Sequence, residues 1–149
     1  MSIFDAEARL AVDGSLLERI QAMPKIELHR HLEGSLRLQT LVDIAREYDI
    51  EMPEYDPELL RPFVQMMPGE DRSMAHFLGK FATLRQFYRS LDVIERITRE
   101  IVLDAVSDNV RYMELRFTPP ALSNIIGCSL SEIVSLVCQT ACKTAEDAG

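Results

Sequence analysis

Lys25-Ile26-Glu27-Leu28-His29-Arg30-His31-Leu32, followed by Glu33-Gly34-Ser35, decides the fold. The alternation of apolar and polar residues over a short run predicts a strand, and Glu33-Gly34-Ser35 breaks it. His29 and His31 stand two apart, so both imidazoles project from one face of that strand. They lie at its C-terminal end, where parallel α/β folds collect ligands and metals. Two neutral imidazoles can hold zinc at about 2.0–2.1 Å, but a catalytic zinc generally needs three protein ligands and an open position. A hydrogen-bonded pair of structural histidines has the same spacing, and spacing alone leaves both readings open.

Upstream, Ser15-x-x-Glu18 has the spacing of a capping box, opening a short helix that Pro24 closes. Residues 1–23 thus read as an amino-terminal helix and lead-in. Downstream, Ser35 reads as the N-cap of a helix with Leu38, Leu41, Val42, Ala45 and Tyr48 on one face. Residues 51–73 are rich in proline, and Asp56-Pro57 marks a short helix start. Beyond Ser73, Phe77, Leu78, Phe81, Leu84 and Tyr88 recur at helical spacing, and a second helix carries Leu91 through Ala105.

Asn109–Phe117 is the second strand, with Arg111, Met113, Leu115 and Phe117 on one side. Val110, Tyr112, Glu114 and Arg116 occupy the other, and Pro119-Pro120 stops it. Ser129-x-x-Glu132 opens the last helix, and Gly149 stands where a C-cap would. Strands separated by helices predict parallel pairing. Two parallel strands alone leave both faces and both edges open. We therefore expect the chain to stop short of a third strand, with apolar surface exposed where further strands would pack.

The chain has 149 residues, 47% hydrophobic and 27% charged, enough for one core, with a formal net charge of −8. That sign disfavours phosphate backbones and anionic lipid, so neither nucleic acid nor membrane is an expected partner. No run approaches the roughly 20 apolar residues that span a bilayer. Residues 1–14 lack the basic and apolar regions of a secretory signal. Cys128, Cys138 and Cys142 form no CxxC pair, and reduced thiols in the cytoplasm are expected.

Three motifs together carry a resemblance. The string IELHRHLEGSL resembles the first-strand signature of the adenosine deaminase family, a branch of the metal-dependent amidohydrolases. MAHFLGKF, from Met74 to Phe81, is similar to that family's helix over the active-site mouth. VRYMELRFTP, from Val110 to Pro119, is similar to its second-strand signature. Their order and separations match too, and they span nearly the whole chain from Lys25. The resemblance implies an α/β fold, the amino-terminal portion of a (β/α)8 TIM-type barrel, with residues 1–149 forming part of a single barrel domain.

It further implies that His29 and His31 are two ligands of one zinc ion. The family's third histidine, its aspartate ligand and its acid–base residues come from later strands, so no catalytic residue is expected in this chain. Such a zinc lowers the pKa of water toward 7 and supplies hydroxide. In the family this hydroxide attacks the amine-bearing carbon of the purine, and ammonia leaves. The H-x-E and P-C-x-x-C signature of cytidine-type deaminases is absent. His76 is the remaining histidine, and its helical position favours a partly exposed residue over a ligand.

Substrate contacts are implied for His31, Glu33, Met74, Phe77, Leu78 and Phe81. Glu33 stands where adenosine-specific members usually carry aspartate, which binds a ribose hydroxyl. The longer side chain leaves adenosine, adenine, aminofutalosine and N6-substituted nucleotides all open as substrates. By position alone Glu33 reads equally as a solvated turn carboxylate, and the Phe77–Phe81 stripe equally as core. Glu114 and Arg116 are expected to point inward, with Glu27 on the histidine face as the partner of Arg116 in an ion network supporting the histidines. Thr118, just past the strand, is within plausible reach of the pocket. The expected function is hydrolytic deamination of a 6-aminopurine by an intact barrel. The 149 residues alone are expected to be inactive, as a remnant or one half of a split barrel whose partner is the missing carboxy-terminal part.

Overall fold

Lys25–His31 forms strand β1 and Val110–Arg116 forms strand β2, and the two pair in parallel. The computed structural model of the chain describes residues 14–149. The lead-in at residues 1–13 lies outside them. Before β1 comes helix α1 (Gly14–Ala22). Ser15 sits inside this helix rather than at the expected N-cap position. Between the strands run a 3-10 turn at Leu32–Gly34 and helices α2 (Leu38–Glu47), α3 (Pro57–Val64), α4 (Met74–Arg85) and α5 (Leu91–Ser107). Helices α6 (Pro119–Ile126) and α7 (Leu130–Ala148) follow β2.

Most helix starts follow from their caps. Asp56 accepts from the Glu58 and Leu59 amides ahead of Pro57, and Ser73, Ser90 and Ser129 each accept an amide from their first turn. Ser129 and Glu132 complete a reciprocal capping box. Ser35 departs from its expected role. The 3-10 turn consumes the residues after β1, and the Ser35 hydroxyl donates to the His31 carbonyl at 2.7 Å. Arg37 becomes the N-cap of α2, without a side-chain cap bond. The hydroxyl has chosen a local carbonyl over the helix end, a competition open to any serine near a turn.

The core lies between β2 and the helices. Leu32, Leu41, Ile44, Ile94, Ile97, Ile101, Leu122 and Ile133 are buried, and Met113, Leu115 and Phe117 pack against them from the strand side. The opposite sheet face is bare: Ile26, Leu28 and Tyr112 are 70%, 57% and 55% exposed. An ion network ties α2 to α5. Arg96 reaches Asp43 at 2.7 Å and Glu100 at 2.9 Å, and Arg37 reaches Asp104 at 2.6 Å. At the other end of the strands, the Lys25 ammonium donates to the carbonyls of Gln21, Met23 and Asp108 at 3.1, 3.3 and 2.7 Å.

The register contains an irregularity that matters for the site. Ile26 stands opposite Tyr112, Glu27 opposite Met113, and then the pairing slips, so that Arg30 meets Leu115 and His31 meets Arg116. Neighbouring residues of paired strands share a face. Glu27 therefore lies on the core side with Met113, not on the histidine side as expected. The slip between Glu27 and Arg30 is a bulge, which resets the alternation before the histidines.

Tyr88, wholly buried after α4, donates its hydroxyl to the Leu32 carbonyl at 2.9 Å. Burial, and secondarily the Glu33 carboxylate, pushes its phenol well above the ordinary value. Tyr88→Phe removes that bond and leaves the Leu32 carbonyl only the Ser35 amide at 3.4 Å; it should cost about 0.5–1.5 kcal/mol, read from the urea midpoint. Hydrogen bonds from Arg96 and then Gln39 hold the Asp43 carboxyl below its ordinary range. Its contribution to stability is therefore present above the normal carboxylate pKa and is lost as pH falls through the depressed value. Arg96→Met should flatten the acid limb of the stability profile; an unchanged limb would show that the Asp43 pair contributes nothing there.

Candidate active site

Strand alternation after the bulge brings His29 and His31 onto one face, and their rings converge. The two Nε2 atoms are 2.9 Å apart, with ring centroids at 4.8 Å. In neutral imidazoles one such nitrogen can donate to the other, or both lone pairs can face a common point. Tetrahedral zinc would hold two such nitrogens about 3.3 Å apart, given its bond lengths. A small opening of the pair meets that spacing, so the donor set fits one zinc ion as a partial site. Among the described residues no cluster of three or more His, Cys, Asp or Glu side chains forms a metal site.

Helix α4 lies over this pair. The Phe81 ring meets His31 edge-on at 5.6 Å between centroids, and Phe77 meets Phe81 at 5.1 Å. Gly34 permits the approach: a Cβ there would stand 3.2 Å from the Phe81 ring. The helix and the strand ends enclose a cleft of about 440 Å³, with His31 and Glu33 on one side and Phe77, Leu78 and Phe81 on the other. Met74 does not join them. It is 69% exposed at the start of α4 and contributes nothing to the cleft lining. His76 points elsewhere, with its Nε2 2.9 Å from a Glu70 carboxylate oxygen. That contact is the largest influence holding the Glu70 carboxyl below its ordinary range.

Glu33 is 1% exposed, which overturns the reading as a solvated turn carboxylate. Its Oε1 accepts the Thr118 amide at 3.0 Å and Arg85 Nη2 at 3.5 Å, while Oε2 is buried with no hydrogen-bond partner. Thr118, just past β2, thus meets the turn after β1 directly, and its hydroxyl accepts from Arg85 at 3.4 Å. Arg85 and Ala82 line the cleft too, and the sequence reading passed over both. A signal for Arg85 was present, because Phe77, Phe81 and Arg85 follow at intervals of four on one helix face.

The expected ion network takes a different form. Glu27 pairs with Arg30 at 3.3 Å, not with Arg116, because the bulge has moved it to the other face. Arg116 pairs with Glu114 at 3.3 Å and donates to the Leu28 carbonyl at 3.4 Å. Glu114 and Arg116 share the histidine side of the sheet but stand half-exposed rather than buried.

The adenosine deaminase family profile matches residues 24–149. A probable adenosine deaminase of Dictyostelium discoideum is 39% identical over 82% of this chain and 16% of its own length. An adenosine deaminase of Clostridium botulinum is 37% identical over 77% of this chain and 34% of its own. The chain therefore spans about a third of the length of one of these relatives and about a sixth of the other. Among solved structures, an adenine deaminase from Arthrobacter aurescens superposes with a TM-score of 0.71 at 26% identity, covering 86% of this chain and 37% of that one. The N6-mAMP deaminase of Arabidopsis gives 0.66 at 33% identity, covering 87% and 37%. From the histidine strand through its parallel partner to the helix laid over both, the chain belongs to the adenosine deaminase family and carries the first two strands of its (β/α)8 barrel.

Proposed function

We propose that this chain contributes one wall of a zinc-dependent enzyme that hydrolyses the exocyclic amine of a 6-aminopurine, releasing ammonia. The observation that carries the reading is the convergence of His29 and His31 Nε2 at the mouth of an aromatic-walled cleft. Zinc bound there, completed by ligands from outside these 149 residues, would bring the pKa of water toward neutrality. The residues of this chain do the rest of what is assigned to it. His29 and His31 hold the ion on the strand end, and Phe81 packs edge-on against His31 and steadies its ring. Phe77, Leu78 and Phe81 exclude water and offer apolar and π surface to a flat base. Glu33 accepts a hydrogen bond from a polar substituent of the substrate. Glu114 and Arg116 lie beyond the histidines on the same sheet face and order the strand ends, Arg116 through the Leu28 carbonyl.

In the intact enzyme, His31→Ala should abolish stoichiometric zinc uptake and turnover together. Full zinc content with wild-type turnover in that variant would overturn the assignment. A second reading keeps the chemistry and changes the substrate to free adenine or an N6-substituted nucleotide, as the activities named for the two solved relatives suggest. Amine release (ammonia from adenosine, adenine and aminofutalosine, methylamine from N6-methyl-AMP) should show adenosine with the highest kcat/KM. A preference for either alternative of at least tenfold would transfer the assignment to it.

A further inference from the structure

The cleft has one polar end, and its hydrogen bonding is incomplete in a complementary way. Glu33 presents a buried acceptor, Oε2, without a partner, and Arg85 presents a buried donor, Nε, also without one. The contacts already made by the two side chains are few. Glu33 Oε1 takes the Thr118 amide at 3.0 Å and Arg85 Nη2 at a long 3.5 Å, and that same Nη2 reaches Thr118 Oγ1 at 3.4 Å. Buried polar atoms left unpaired are uncommon in folded proteins and each carries a desolvation cost. Here a donor and an acceptor belong to side chains of one cleft, in which His31 and Thr118 are the other polar residues and Phe77, Leu78 and Phe81 offer no hydrogen bonds.

We propose that Arg85 is a specificity-determining residue that, together with Glu33, selects 6-aminopurines carrying a hydroxylated substituent, that is nucleosides, over the bare base and over phosphate monoesters. The proposal rests on the deaminase reading above. A hydroxyl donates and accepts at once, so it satisfies the carboxylate through its O–H and the guanidinium through a lone pair. Both side chains line the cleft, so a hydroxyl seated between them lies beside the two side chains that carry the unpaired atoms. The bare base has no hydroxyl, and none of its atoms both donates and accepts, so it cannot satisfy the carboxylate and the guanidinium through one group. Esterification replaces one hydroxyl with a phosphate dianion that only accepts, and it adds negative charge beside the Glu33 carboxylate. Sites built to hydrogen-bond a substrate hydroxyl discriminate strongly against the analogue that lacks it, because their own buried groups then go unsatisfied.

The test compares adenosine, adenine and AMP on the intact zinc-loaded enzyme and on its Arg85→Met and Arg85→Lys variants, with zinc content measured alongside. Where adenine is not turned over, its competitive inhibition constant takes the place of kcat/KM. Arg85→Met should lower kcat/KM for adenosine by about 10–100-fold, mainly through KM, the size expected for one buried partner lost. Adenine should change by less than about threefold, and Arg85→Lys should recover part of the loss. An equal loss for adenosine and adenine at full zinc content would reduce Arg85 to a structural clasp and overturn the proposal. So would an unchanged adenosine KM, or a wild-type preference for AMP that Arg85→Met removes. If Arg85→Met fails to retain zinc, the same comparison on Arg85→Lys decides. A zinc-loaded wild type that deaminates none of the three would instead fail the deaminase reading itself, and the proposal with it.

Discussion

The parallel pairing of β1 with β2 is the contact on which the arrangement depends. It joins residues more than eighty positions apart, with Lys25 opposite Val110 and His31 opposite Arg116. A parallel pair cannot be closed by a tight turn, so the chain between must travel back along one face. Helices α2 to α5 make that return, and α5 covers the core side of the sheet beside α7. Because both strands run the same way, both end at the same edge. The histidines at the end of β1 and Thr118 just past β2 therefore meet, and the Thr118 amide finds the Glu33 carboxylate.

The helix over the strand ends gives that edge its chemistry. Without α4, the histidine pair would be a polar feature on an open sheet. With it, His31 has an aromatic neighbour on one side and Glu33 is removed from water. Gly34 is the point of closest approach, since any side chain there would press on the Phe81 ring. Tyr88 anchors the same turn from below through the Leu32 carbonyl. The turn that carries Glu33 is thus held by three elements: the strand it leaves, the helix above it, and the segment after that helix.

Burying a carboxylate at this point has an energetic consequence. An ionised group removed from water needs partners, and partial satisfaction is costly. Glu33 receives one backbone amide and a distant guanidinium, which leaves one oxygen uncompensated. Incomplete satisfaction in an otherwise well-packed region is the pattern of a binding site rather than of a core, because a core is selected to leave nothing unpaired. The ion pairs between α2 and α5 show the contrast. Arg96 and Arg37 have short contacts to Asp43, Glu100 and Asp104 and face solvent, where they order helices and hold nothing in reserve.

Much was legible in the sequence because it depends on local periodicity. Strand alternation placed β1 and β2, fourfold spacing placed α4 and α5, and Asp56 and Ser129 announced their helices through side chains that reach only two or three residues. The convergence of His29 and His31 follows from the same rule, since residues two apart on a strand face one way. The Glu27–Arg30 pair, the role of Ser35, the burial of Glu33 and the contacts of Arg85 with Glu33 and Thr118 were not legible. A bulge changes which face a residue takes without changing its neighbours in the chain, and that alone moved Glu27 away from Arg116. The partners of Glu33 and Arg85 stand between thirty and ninety positions away. The sequence by itself thus determined the elements and the residue types at the strand ends, whose spacing is set by covalent geometry. Only the tertiary structure decided which of those side chains share a cleft and which polar atoms remain unpaired, because burial and pairing depend on segments that meet only when the chain has folded.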